Sequence, residues 1–162
     1  MKNKKLLATL VIGFIFYAFS LAQPSVYTNN LSLVHTGIKI SLPESQGNLA
    51  HSMFGCEAIE QDGFLVVSAP RLEVDSVESG SVFIYQRLND EWVLHQEIQS
   101  PKPSEGQHFG NHLAMHGKNL LIGAPGANGR TGAAFLYEFN DLNWVLKQEL
   151  VPDEPKNFEK FG

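Results

Sequence analysis

A chain of 162 residues that is 43% hydrophobic, 18% charged and 10% aromatic has the composition of a packed globular protein. Those proportions exclude a disordered tail, a collagen-like repeat and a multi-span membrane protein. With 12 Lys+Arg against 17 Asp+Glu the net charge is −5, and no dense basic stripe offsets that sign, so no nucleic-acid partner is expected.

The chain opens on Lys2, Lys4 and Lys5, then an uncharged apolar run from Leu6 to Phe19, then Ser20-Leu21-Ala22. A positive head, a run too short to cross a bilayer comfortably and small residues where a signal peptidase reads them predict a secretory leader over 1–22, cut after Ala22. An uncleaved anchor would need a longer run. Cleavage removes three lysines and no carboxylate, so the mature chain is more acidic still. It is expected to be secreted, periplasmic or at the cell surface, with no stable membrane span. Segment 23–53 holds one strand-like stretch, Leu31–Leu42, followed by Pro43. By position it reads as the outer strand of a further sheet whose other strands lie elsewhere. Cys56 is the lone cysteine, which rules out an intrachain disulfide and leaves stability to a hydrophobic core. A free cysteine of this kind is expected to behave as a small buried apolar residue.

From residue 54 onward the apolar pattern has period two, with turn residues between short runs, which predicts strands. The first set runs Cys56–Glu60, Phe64–Ser68, Ser81–Arg87 and Trp92–Gln99, with tight turns at Asp62-Gly63 and Leu88-Asn89-Asp90. The second runs His112–His116, Asn119–Gly123, Ala133–Phe139 and Trp144–Val151, with turns at His116-Gly117 and Asn140-Asp141. In each set the third strand is apolar on both faces and belongs inside a sheet. The fourth is expected to place Trp92, Leu94, Gln96 and Ile98 on one packed face, and Trp144, Leu146, Gln148 and Leu150 likewise.

The two sets are copies. An offset of 55 aligns Phe54-Gly55 with Phe109-Gly110 and FLVVSAP, ending at Ala69-Pro70, with NLLIGAP, ending at Gly123-Ala124-Pro125. From Gly80 the offset is 52, and GSVFIYQRLNDEWVLHQEIQ overlies GAAFLYEFNDLNWVLKQELV with eight identities in twenty, among them Gly80 with Gly132 and Trp92 with Trp144. The same offset carries Phe109-Gly110 onto Phe161-Gly162. The organisation is thus one repeat over 54–108, a second over 109–160, and the start of a third at 161–162. A four-stranded antiparallel unit of this size cannot bury both faces alone, and radial stacking of such units gives a β-propeller. The expected fold is all-β, two propeller blades plus an N-terminal outer strand, in an incomplete ring. Its open edges predict self-association.

The recurrent Phe-Gly, the Ser-Ala-Pro at 68–70, the Gly-Ala-Pro at 123–125 and the small-residue pair, aromatic strand and Trp that follow resemble the FG-GAP repeat in its bacterial extracellular form, over roughly 43–162. The resemblance implies the integrin α-like propeller, with about seven blades, and a role in adhesion and ligand binding. It makes Phe54, Gly55, Ala69, Pro70, Gly80, Trp92, Phe109, Gly110, Gly123, Ala124, Pro125, Gly132, Trp144, Phe161 and Gly162 structural signature residues. Many family members hold calcium between the Phe-Gly and the Gly-Ala-Pro on an Asp-rich run. Here those segments are CEAIEQDGFLVV and NHLAMHGKNLLI, which lack the carboxylates a calcium ion needs, so no cofactor is expected.

Other chemistry is thin. Glu73, Asp75 and Glu78 form an acidic loop that reads as solvated. His108, His112 and His116 would stack on a helix, but a turn and a strand hold them apart. No nucleophile elbow, zinc-protease motif or phosphate-cradling loop occurs, and no catalytic residue is assigned. The chain reads as a noncatalytic extracellular binding or adhesion scaffold for a protein or glycan. The alternative is the propeller part of a secreted enzyme, a polysaccharide lyase or hydrolase, with its catalytic residues outside this chain. A structural spacer is the plainest third reading.

Overall fold

Two antiparallel four-stranded meanders, each run in chain order across its sheet, make an all-β structure in the computed structural model, which describes residues 8–9, 39–40, 51–154 and 160–162. The leader and the Leu31–Leu42 run lie outside the described residues, except for two short strands, β1 (Ala8–Thr9) and β2 (Lys39–Ile40). The first sheet comprises β3 (Ala58–Gln61), β4 (Phe64–Ala69), β7 (Ser81–Leu88) and β8 (Glu91–Gln99). Between β4 and β7 a small hairpin, β5 (Glu73–Val74) and β6 (Val77–Glu78), stands apart. The second sheet comprises β9 (Leu113–His116), β10 (Asn119–Ala124), β11 (Ala133–Phe139) and β12 (Trp144–Leu150). β2 adds to the outer edge of β8 in parallel, through Ile40 opposite Trp92, and β1 pairs antiparallel with β2.

The hairpins close where turn chemistry predicts. Gln61 pairs with Phe64 around Asp62-Gly63, at φ of 52° and 79°, and Leu88 pairs with Glu91 around Asn89-Asp90, at 49° and 64°. Successive left-handed residues give the primed turn that matches strand twist. In the second sheet the first turn is Gly117-Lys118, one residue later than expected, because His116 still pairs with Asn119. The loop from β10 to β11 is three residues shorter than its counterpart. The β5–β6 hairpin is replaced there by a single turn, Ala127–Arg130, in which Asn128 and Gly129 have φ of 51° and 70°.

One expectation about the fourth strands fails in both sheets for the same reason. Ile84 pairs with Gln96 but Tyr85 pairs with Leu94, so His95 is an extra residue; Leu136 pairs with Gln148 but Tyr137 with Leu146, so Lys147 is its equivalent. A bulge of this kind flips the alternation beyond it. Trp92 and Leu94 therefore pack with Leu65, Val67, Phe83 and Tyr85 on one face, while Ile98 packs with Phe64, Val66, Val82 and Ile84 on the other. The same flip carries Gln148 and Leu150 away from the face of Trp144.

The third strands do lie inside their sheets. β7 runs between β4 and β8, and its residues from Ser81 to Tyr85 are all buried. The main core forms where the Val66–Ile84–Ile98 face meets the Leu120, Ile122, Phe135, Tyr137 and Trp144 face of the second sheet. Phe64 meets Trp144 edge-on at 5.6 Å, and Phe139 at 4.9 Å. The other face of the first sheet is closed by Ile40 and Leu72, with Phe54 against it.

Candidate binding surface

A Phe-Gly pair precedes each first strand, and the second of them, Phe109-Gly110, joins the two sheets. Phe109, wholly buried, sends its ring to 5.5 Å from that of Phe135, and its N–H donates to the Ser79 carbonyl at 2.9 Å. Gly80 lies under that backbone at φ 91°, where a Cβ would strike the Phe109 carbonyl and come within 2.7 Å of that of Pro70. Gly110 then donates to the Gly123 carbonyl at 2.9 Å, as Gly55 donates to the Ser68 carbonyl at 2.8 Å. The Ala69-Pro70 and Ala124-Pro125 steps end β4 and β10 beside these anchors, with Ala69 and Ala124 wholly buried.

The arrangement recurs at 161–162. Phe161 donates its N–H to the Thr131 carbonyl at 3.1 Å and bridges to Gly132, and a Cβ on Gly132 would strike the Phe161 backbone. Thr131 and Gly132 are the repeat counterparts of Ser79 and Gly80. Phe161 thus sits on the second sheet as Phe109 sits on the first, although its side chain is 40% exposed where that of Phe109 is wholly buried.

Polar clamps reinforce the joint. The Gln96 side chain accepts from the Trp144 N–H at 2.8 Å and donates to the Trp144 carbonyl at 3.0 Å. The Glu57 carboxylate accepts from the Leu113 N–H at 2.6 Å. Neither clamp was readable from sequence, because each joins residues about fifty apart; the repeat offset does pair Gln96 with Gln148 and Glu57 with His112.

Next to the second anchor a cleft of about 500 Å³ opens between the loop before β9, the turn after β10 and the last three residues. His108, Asn111, His112, Gly126, Arg130 and Lys160 line it. At its edge the Glu57 carboxylate Oε2 lies 4.0 Å from His112 Nδ1. Ion pairs among the described residues include Arg71–Glu78 at 2.9 Å, Arg87–Asp90 at 3.0 Å, Lys102–Glu149 at 2.5 Å, Lys118–Asp141 at 2.5 Å and Lys147–Glu138 at 2.8 Å. Hydrogen bonds from Lys102 foremost, and from Asn128, hold the Glu149 carboxyl below its usual range.

The remaining candidates separate. Glu73 and Glu78 oppose each other across the β5–β6 hairpin, Asp75 lies in its turn, and Glu78 is turned to Arg71. His108 occupies a left-handed turn and His116 ends β9, so the three histidines do not converge. Among the described residues no three His, Cys, Asp or Glu side chains gather as metal ligands. Cys56 is exposed, not buried, because the Phe-Gly anchor leaves the next residue outside the sheet. Partial burial, with Glu57 beside it, pushes its thiol up. No helix among the described residues is long and apolar enough to cross a membrane. Compared with known families and curated proteins, the chain matches no family model and no curated sequence.

Proposed function

We propose that the chain is an exported, noncatalytic binding scaffold of FG-GAP type, with its two sheets as neighbouring blades of a β-propeller and its loops meeting an extracellular protein or glycan. The observation that carries this reading is the anchor made twice: Phe109 on Ser79 and Gly80, and Phe161 on Thr131 and Gly132, with the same backbone hydrogen bond. A joint repeated at the repeat offset is what serial stacking of like units requires. Further support comes from the outer face of the second sheet. Ala134, Leu136, Gln148 and Leu150 there are the counterparts of Val82, Ile84, Gln96 and Ile98, which hold the first sheet to the second. Leu136 and Leu150 are only half-buried, and Gln148 is exposed. In this reading they await the next blade.

Rigid stacked sheets with variable loops suit recognition, since the scaffold fixes loops that are free to change. The test is fractionation of the native producer followed by binding. The expected result is a protein beginning at Gln23 in the extracellular or periplasmic fraction that binds matrix saturably and leaves matrix polymers uncut. Retention in the cytosol with the leader intact, or cleavage of the bound polymer, overturns the proposal.

A further inference from the structure

The two anchor seats are built alike, but the side chain packed beside each differs in size. Gly80 donates its N–H to the Leu72 carbonyl and Gly132 donates to the Ala127 carbonyl, each at 3.0 Å, so Leu72 and Ala127 hold the same place. Arg71 donates to the Ser52 carbonyl and Gly126 to the Gln107 carbonyl, also at 3.0 Å, which pairs Ser52 with Gln107. In the first sheet Leu72 is wholly buried in the cluster that holds Phe83. In the second, Ala127 and Phe135, the counterpart of Phe83, line a cleft of about 320 Å³ that the shorter side chain leaves unfilled. Gln107 shares that lining and is 1% exposed. Its Oε1 accepts from the Ser104 N–H at 3.2 Å, while its Nε2 has no hydrogen-bond partner among the described residues. The Lys102–Glu149 ion pair stands on the exposed side of the lining and supplies a donor and an acceptor with no net charge.

We propose that this cleft binds one ring of a neutral sugar within an extracellular glycan, with Gln107 Nε2 donating to one hydroxyl, Lys102 and Glu149 donating to and accepting from others, and Ala127 and Phe135 meeting the C–H face of the ring. The inference rests on the scaffold reading and adds the class of ligand and its place. The volume lies at the lower end of small-ligand sites and suits a single ring. A hydroxyl both donates and accepts, so a polyol can satisfy interleaved donors and acceptors around an apolar floor. A buried donor without a partner is costly, and a ligand oxygen removes that cost. Lys102 and Glu149 already neutralise each other, so nothing in the pair selects an acidic sugar. A peptide fits less well: extended chains bind along several residues of a strand edge or a long apolar groove, and of edge strand β12 only Glu149 reaches this compact cleft.

The test is equilibrium binding of the full chain to neutral glucan, mannan, galactan and xylan, with polygalacturonate and a tryptic peptide digest alongside. The expected result is saturable binding of at least one neutral polysaccharide, with the same affinity at low and high salt. Ala127→Leu fills the cleft as Leu72 fills the equivalent place, and is expected to weaken that binding at least about tenfold with unchanged melting. Lys102→Ala, at an exposed ion pair that carries little stability, serves if the first variant melts early, and is expected to weaken binding several-fold. No neutral polysaccharide bound by the unaltered chain, or full affinity in a natively melting variant, overturns the proposal. Polygalacturonate or peptides bound more tightly than the neutral polysaccharides, or binding lost in high salt, overturns its ligand class. Undiminished binding of a matrix protein by the variants, without neutral glycan binding, leaves the scaffold reading standing and removes the cleft. Absence of binding to any extracellular fraction removes both.

Discussion

Ile84 and Leu136 occupy the same position of the repeat, and the structure assigns them different energetic weights. Ile84 is 0% exposed between the sheets, in contact with the cluster that includes Phe135 and Trp144. Truncation to Ala there removes buried methylenes and leaves a cavity walled by two sheets, at a cost of about 3 kcal/mol within the usual 2–5 range. Leu136 lies half-buried on the open face of the second sheet. Its truncation loses part of the transfer free energy and leaves no enclosed void, a cost of about 1 kcal/mol. Urea titration of each variant, followed by fluorescence of the buried Trp92 and Trp144, measures both. For a domain of this size the corresponding shifts in melting temperature are roughly 10 °C and 4 °C. Equal losses at the two positions would refute the claim that one face of this repeat is covered and its counterpart open.

The inter-sheet clamp gives a second paired contrast: Gln96→Ala removes two hydrogen bonds to the Trp144 backbone and is expected to cost about 1–3 kcal/mol, whereas Gln148→Ala should be neutral in a denaturation curve. Gly80→Ala is expected to cost about 3 kcal/mol or more, since the new Cβ meets the Phe109 and Pro70 carbonyls at a φ of 91°; Gly63→Ala, at φ 79° with nothing nearby, should cost about 1 kcal/mol. Burial pushes the Tyr137 hydroxyl up to about 12 and that of Tyr85 higher still. Both phenols are held neutral in the fold, so their stabilisation is complete below their ordinary value near 10 and is lost as pH rises through the folded value. Tyr137→Phe should make the alkaline loss of stability shallower, and an identical pH profile in the variant would count against that assignment. Cys56, exposed beside Glu57, should react with a maleimide in the folded protein, more slowly than a free thiol at neutral pH because its thiolate is disfavoured.

The strands were legible because their signal is local. Period-two runs bounded by Asp62-Gly63 or Asn140-Asp141 need no knowledge of distant partners, and eight strands of the two sheets fall within about two residues of where the pattern places them. The bulges at His95 and Lys147 were not legible. An extra residue leaves the composition of a strand unchanged, so Trp92, Leu94, Gln96 and Ile98 read as one face until the pairing with Ile84 and Tyr85 is known. Cys56 misled for a related reason: its type favours burial, but the Phe-Gly anchor sets its place, and the anchor is a tertiary contact. The clefts were the least legible part. They are built from loops far apart in sequence and brought together beside the seat on Gly132. One signal was present in the aligned repeats, the exchange of Leu72 for Ala127, and it acquires meaning only once both carbonyls are seen to accept from the seat glycines.

Stability and charge are separated in this architecture. The seats at Ser79-Gly80 and Thr131-Gly132 hold their Phe-Gly pairs by backbone contact, so the hydrogen bond of the seat does not use the side chain one step earlier. Glu78 and Arg130 can then differ in sign while Phe109 and Phe161 keep the same hydrogen bond. Arg130 is exposed, whereas the glycine two residues on tolerates no Cβ. A repeat built this way can alter what each loop attracts without altering how the sheets stack. That separation is the physical reason to test the rim of the sheets, and not their cores, for the binding that the scaffold reading proposes.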